Sequence, residues 1–270
     1  MGVLLFFAVI GLLYGGVRWF EWSNTFKPSR RDEGHPGQRG LGYEPVDFLA
    51  TDGTRLHGWW IPHPAARGTV LYCHGNAGNI TTRLDVVEGL HRLGVNTFVF
   101  DYRGYGRSRG FPTENGLMLD AQAAYEVVRA RHGDADDPPV LVYGASLGGP
   151  VATLLAAVKR PHGLILEGAF TSSIDVGERW FPWLPIRAIA RYRFDALSVI
   201  MALKIPVLIA HSPRDRVIPF DLGQQLFTAA PGPKQFVTLD GEHGEAGWID
   251  TPAYFTALQR FVETRLPPAQ

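Results

Sequence analysis

The sequence predicts an α/β protein built on a mostly parallel, doubly wound sheet of about eight strands, with flanking helices. Three observations carry that expectation. From residue 43 onward, β-branched apolar runs alternate with Ala/Leu-rich helical runs, the pattern of crossover connections. The pentapeptide Gly144-Ala145-Ser146-Leu147-Gly148 stands between one such strand run and one such helical run. Two further reactive side chains, Asp215 and His243, each follow a later strand, at the edge where open parallel sheets place their ligands.

The elements follow in order. Pro45 to Ala50 and Leu56 to Pro62 read as an antiparallel pair around the turn Thr51-Asp52-Gly53-Thr54. Strands are expected near 68–73, 96–101, 139–144, 163–168, 205–211 and 235–240, and helices near 79–93, 114–132, 146–159, 220–230 and 251–265. Residues 43–270 therefore read as one catalytic domain. About 171–204 falls outside the alternation and reads as a short cap. Within it, Arg179 to Phe194 holds four arginines, no acid and five aromatics. Burial of those aromatics over a pocket is the simpler role. A cap whose arginines meet anionic headgroups is the functional alternative.

Two segments precede the sheet. Gly2 to Phe20 holds no charge before Arg18, and about 18 helical residues span about 27 Å, the hydrocarbon thickness of a bilayer. Trp19, Phe20 and Trp22 follow as an interfacial belt would. Residues 1–22 are thus expected to be an N-terminal, single-pass membrane anchor in contact with lipid. A signal peptide fits less well, since no basic leader and no Ala-x-Ala-like site is present. Arg18, Lys27, Arg30 and Arg31 follow the span, which favours a cytoplasmic catalytic domain. Residues 23–42, rich in Gly and charge, read as a linker.

Composition narrows the function classes. The 270 residues hold 26 basic and 26 acidic side chains, a balance that argues against a nucleic-acid surface. A single cysteine, Cys73, excludes an internal disulfide framework, and at a strand end it reads as a small apolar packing residue. The nine histidines form no His-Glu-x-x-His pattern, so neither a metal nor another cofactor is expected.

The chemistry is expected at three loops. A lone Gly-x-Ser-x-Gly recurs in ordinary turns. With a strand before it and a helix after it, the motif becomes a nucleophile elbow that projects Ser146 from the sheet. An acid and then a histidine should follow, each after a later strand. Asp215 lies four residues beyond Ile205 to His211, and His243 lies in the loop after Gln235 to Asp240. Asp101, at the end of Asn96 to Phe100, is a rival acid, but Asp101-Tyr102-Arg103-Gly104 reads as a structural turn. An acyl-transfer oxyanion needs two fixed donors. Leu147 offers one N–H. Asn76 is the first choice for the other and Ala77 the second, in the loop after Gly68 to Cys73.

Four segments carry a family resemblance: His74-Gly75-Asn76-Ala77-Gly78-Asn79, Phe100 to Gly106, Tyr143 to Gly149, and Arg214-Asp215-Arg216-Val217-Ile218-Pro219. Over about residues 43–266 the chain resembles the α/β-hydrolase fold of serine hydrolases, and more narrowly its membrane-anchored abhydrolase-domain branch of bud-emergence-like proteins and depalmitoylases. One departure is that the branch follows its histidine with Asn-Asp, whereas Gly244-Glu245-Ala246 follows His243 here. The resemblance and the motifs together imply a serine hydrolase of the carboxylesterase, lipase or thioesterase type. Its expected substrate is a small acyl ester or thioester. A peptidase or amidase is the alternative within enzymes, and a membrane-anchored interaction module with a vestigial hydrolase shell is the alternative outside them.

Overall fold

Alternation along the apolar runs decides the architecture. In β3 (Thr69–Cys73), Leu71 and Cys73 join one core while Val70 and Tyr72 join the other, and all four are fully buried. A strand apolar on both faces must be covered on both. The computed structural model describes residues 2–133, 135–244 and 251–268.

Besides β3, the sheet contains β1 (Glu44–Leu49), β2 (Arg55–Ile61), β4 (Asn96–Asp101), β5 (Val140–Ala145), β6 (Gly163–Glu167), β7 (Val207–His211) and β8 (Lys234–Thr238). Among the described residues these eight strands lie in the order β8-β7-β6-β5-β3-β4-β2-β1. β2 runs against both of its neighbours, and every other pairing is parallel. The strand order reverses at β3 and β5, so the loops after these two strands open beside each other.

Helices α2 (Leu84–Arg92) and α9 (Pro252–Arg265) cover one face, through Val86, Leu90, Leu258 and Phe261. The other face is covered by α3 (Glu114–Arg131), α4 (Gly148–Lys159) and α8 (Phe220–Ala229), through Leu117, Ala124, Val151, Leu155 and Leu222. Full burial of a leucine or valine contributes about 1.5–3 kcal/mol, so these faces hold the sheet closed. The helix expected over 79–93 is shorter here. The Asn79 side chain accepts the Thr81 N–H and shapes a 3₁₀ turn, Ile80–Thr82, which delays α2.

The cap holds α5 (Ser173–Trp180), α6 (Ile186–Ile189) and α7 (Ala196–Ile200). Its aromatics divide: Phe194 is fully buried, whereas Trp180 and Trp183 are 50% and 73% exposed. Protein carboxylates engage two of its arginines, Arg179 with Asp221 and Arg187 with Glu178.

Before the sheet runs a 24-residue helix, α1 (Gly2–Thr25). The side chains of residues 1–6, 8 and 10, which belong to the expected anchor, lie outside the described residues. Among the described residues no helix is long and apolar enough to cross a membrane. The last turns of α1 pack on the cap: Glu21 accepts the Tyr192 N–H at 2.8 Å, and Phe20 meets Phe181 edge-on. The stretch 23–42, expected as a linker, is built into the body. Phe26 is 2% exposed, Lys27–Pro28 pairs in parallel with Ala77–Gly78, and Arg39 is ion-paired to Asp85 and Glu88 of α2.

Candidate active site

The elbow depends on two close backbone approaches that only glycine permits. β5 ends at Ala145 and α4 begins at Gly148, leaving Ser146 and Leu147 to reverse the chain. Ser146 takes a left-handed φ of 49°, a conformation that costs a non-glycine residue about 1–3 kcal/mol. The surroundings hold it there, because its N–H donates to Glu167 O at 2.9 Å and its carbonyl accepts the Gly149 N–H at 2.9 Å. A Cβ on Gly148 would overlap the Cys73 carbonyl oxygen, and one on Gly144 would overlap Gly148. Helix α4 begins two residues beyond Ser146, so the positive end of its dipole lies beside the serine.

The loops after β7 and β8 meet this elbow. His243 Nε2 lies 3.0 Å from Ser146 Oγ, and His243 Nδ1 lies 2.7 Å from Asp215 Oδ2. The three residues nominated by chain order thus form one hydrogen-bonded series, with Ser146 and Asp215 each 8% exposed. Glu245 and Ala246, the departure from the family pattern after His243, lie outside the described residues.

Asp215 is fixed on every side. Its Oδ1 accepts the N–H groups of Val217 and Ile218 at 2.8 and 2.7 Å. Burial by itself would raise the pKa of this carboxyl. Hydrogen bonds from His211 and His243 and from the Ile218 N–H outweigh burial and hold it well below the usual carboxylate range. An acid kept ionised beside an imidazole can steady an imidazolium.

Asp101 has a different setting. It is 1% exposed and accepts the N–H groups of Ile80 and Arg107 at 2.9 and 3.3 Å. Burial pushes its carboxyl up to about 6. The histidine facing it is His74 at 4.0 Å, a ring that burial pushes down to about 3 and so keeps neutral. Cys73 is also fully buried, which pushes its thiol up to about 12 and leaves no thiolate for chemistry.

The loop after β3 lies across the switch point from the elbow. Asn76 Oδ1 accepts the Lys27 N–H at 2.8 Å and the Tyr105 hydroxyl at 3.0 Å. The carbonyls of Ser29 and Arg31 take both protons of the Asn79 amide, at 3.0 and 2.8 Å. The segment 26–31 is therefore a strap over the loop that carries Asn76. Its Gly and charge content conceals this role, since a two-residue ladder leaves no periodicity to read. Leu147 N–H donates to no group among the described residues.

Comparisons with known proteins agree with this fold. Residues 64–199, half of the chain, match the Hydrolase_4 family, described as serine aminopeptidase, S33. Across 262 residues the chain is 34% identical to "Uncharacterized protein Rv2307c" of Mycobacterium tuberculosis, covering 94% of this chain and 93% of that one. It is 32% identical to protein bem46 of Schizosaccharomyces pombe over 248 residues, 88% of this chain and 78% of that one. The chain is an α/β-hydrolase of the bem46-like branch. Among solved structures, the Pyrococcus furiosus esterase Pf2001 superposes with a TM-score of 0.73 at 20% identity, covering 88% of this hydrolase and 99% of that chain. At that identity the likeness concerns the fold.

Two features of the hydrolase site escaped the sequence reading. One is the strap. The other is His211, which reads as the last residue of a buried strand and which the fold sets beside Asp215. Its signal is the i, i+4 spacing to Asp215 across a strand end.

Proposed function

We propose that this hydrolase cleaves carboxylic esters or thioesters of acyl substrates through an acyl-enzyme on Ser146. The observation that supports this most is the pair of contacts made by His243, 3.0 Å to Ser146 Oγ and 2.7 Å to Asp215. Ser146 Oγ attacks the acyl carbon while His243 Nε2 takes its proton. The N–H groups of Leu147 and Asn76 hold the oxyanion. The proton passes to the leaving alcohol or thiol as the tetrahedral intermediate collapses. Water, activated by the same imidazole, then attacks the acyl-enzyme and frees the acid, while Asp215 keeps the ring in one tautomer.

A fluorophosphonate probe should label the full chain, and Ser146→Ala should lose both labelling and turnover. Loss of such a nucleophile typically lowers kcat by about 10⁴- to 10⁶-fold. More than a tenth of wild-type activity in the alanine variant would overturn the assignment. A panel of p-nitrophenyl esters, acyl thioesters and aminoacyl amides tests the substrate class, with kcat/KM expected to rise from two acyl carbons toward roughly six to twelve. Turnover confined to aminoacyl amides would favour the peptidase reading that the S33 description suggests.

The same proposal sets the enzyme at a membrane through α1. The support is the uncharged run before Arg18 and the exposure of Trp19 and Phe20, 65% and 41%. Flotation of the full chain with liposomes is expected. A full-length protein that stays wholly in the soluble fraction would end that part of the reading.

A further inference from the structure

We infer that His211 is a positioning residue for the reaction, a second histidine on the carboxylate of Asp215. The inference rests on the Ser146–His243–Asp215 reading above. His211 is fully buried at the end of β7, where it has no contact with solvent. Its Nε2 lies 3.0 Å from Ile218 O and 3.4 Å from Asp215 Oδ2. Only a protonated Nε2 can donate to the carbonyl, so the ring carries a hydrogen there. The Asp215 carboxylate lies 3.4 Å from the same nitrogen, close enough for its charge to be stabilised by that N–H dipole.

The other ring nitrogen, Nδ1, has no hydrogen-bond partner among the described residues and faces α8. At Gly223 of that helix a Cβ would overlap it, and Phe220 packs edge-on against the ring at 5.8 Å. A buried, unpaired acceptor costs about 1–3 kcal/mol, which a leucine of similar size would avoid. The chain keeps a histidine where packing alone favours a hydrocarbon. What the ring supplies is one N–H that ties the two ends of the loop, Ile218 and Asp215, to the strand.

The groups around the carboxylate confirm how specific that donor is. His211 reaches it from β7 and His243 from the loop after β8, while Arg214 and Arg216 on its own loop turn outward to Asp240 and Glu242. Asp215 Oδ2 is thus shared between two imidazoles. The His211 N–H draws charge from the oxygen that also holds His243, and so limits how tightly Asp215 retains a proton on that ring.

His211→Leu and His211→Gln in the full chain test this, because the glutamine amide can restore a donor near Nε2. The leucine variant should melt no lower than wild type. It should lose about 3- to 10-fold in kcat/KM, the size of one hydrogen bond. The acidic limb of its pH profile should move upward by about half a unit, since Asp215 then favours the imidazolium. Glutamine should restore both quantities toward wild type. A folded leucine variant with an unchanged rate and pH profile would overturn the inference, as would a glutamine variant no better than leucine. Asp215→Asn in the same assay separates the two levels: if it stays active, the underlying triad reading fails instead.

Discussion

Asp101 and Asp215 make a controlled comparison within one molecule. Asp101 ends β4 and Asp215 lies in the loop four residues past β7 of the same sheet; both are buried, and both accept two backbone N–H groups. Asp101 faces a histidine 4.0 Å away that burial keeps neutral, and its own carboxyl is pushed up to about 6. Asp215 touches two imidazoles, one at 2.7 Å, and is held below the ordinary carboxylate range. Backbone donors alone do not offset burial for a carboxylate. Side-chain donors from a neighbouring strand and loop do. Position at a strand end therefore nominates an acid, and its side-chain neighbours decide what it can do.

The largest expected effect breaks the pair apart kinetically. Asp215→Asn should fold normally and lower kcat by roughly 10⁴-fold, through the wrong histidine tautomer. Asp101→Asn should keep kcat within a few fold and lower the melting temperature instead. Measuring kcat and Tm on both variants checks this, and a folded, inactive Asp101→Asn beside an active Asp215→Asn would exchange their roles.

A smaller effect sharpens the comparison through pH. Asp101, raised to about 6, contributes stability that is complete below the unfolded pKa near 4 and is lost as pH rises through about 6. Asp215, lowered, contributes stability that is complete above about 4 and is lost as pH falls further. Wild type should therefore lose ground to Asp101→Asn between pH 4 and 7, by up to about 3 kcal/mol. Its advantage over Asp215→Asn should shrink only in acid. Denaturant titrations of the three proteins across pH 3–7 read both trends, and trends of the same sign would contradict the contrast.

The smallest expected effect concerns the loop between the two acids. Tyr105→Phe removes one of the two donors on Asn76 Oδ1 and leaves the Lys27 N–H in place. Loss of one neutral hydrogen bond suggests about a 2- to 5-fold fall in kcat, with KM nearly constant. A change confined to KM would separate Tyr105 from the oxyanion role proposed for the Asn76 loop.

The strands and helices were legible because their signals are local. β5 and α4 announce themselves within residues 140–159, and Ser146 between them needs no distant information. Asp215 and His243 are nominated by chain order, which the fold turns into contacts of 2.7 and 3.0 Å. The strap was not legible. Lys27 and Ala77 stand fifty residues apart, and a two-residue ladder leaves no pattern in either segment. His211 was half legible: the apolar run places it in a strand, but its proximity to Asp215 depends on how the loop to Ile218 folds back. The late start of α2 was missed for a third reason, because the Asn79 side chain competes with the helix for the backbone.

The strap has a practical consequence for anyone reshaping this enzyme. An apolar first segment invites trimming to obtain a better-behaved protein, and residue 43, where the sheet pattern starts, is the cut that sequence suggests. Such a cut would remove Phe26 from the core, the Lys27 N–H from Asn76, and the Ser29 and Arg31 carbonyls from Asn79. The shortened chain would keep Ser146, Asp215 and His243 and is expected to turn over substrate more slowly than the full chain. A cut placed before Val17 leaves the Glu21 contact to the cap and the whole strap in position. Any fusion partner or affinity tag belongs ahead of that point too.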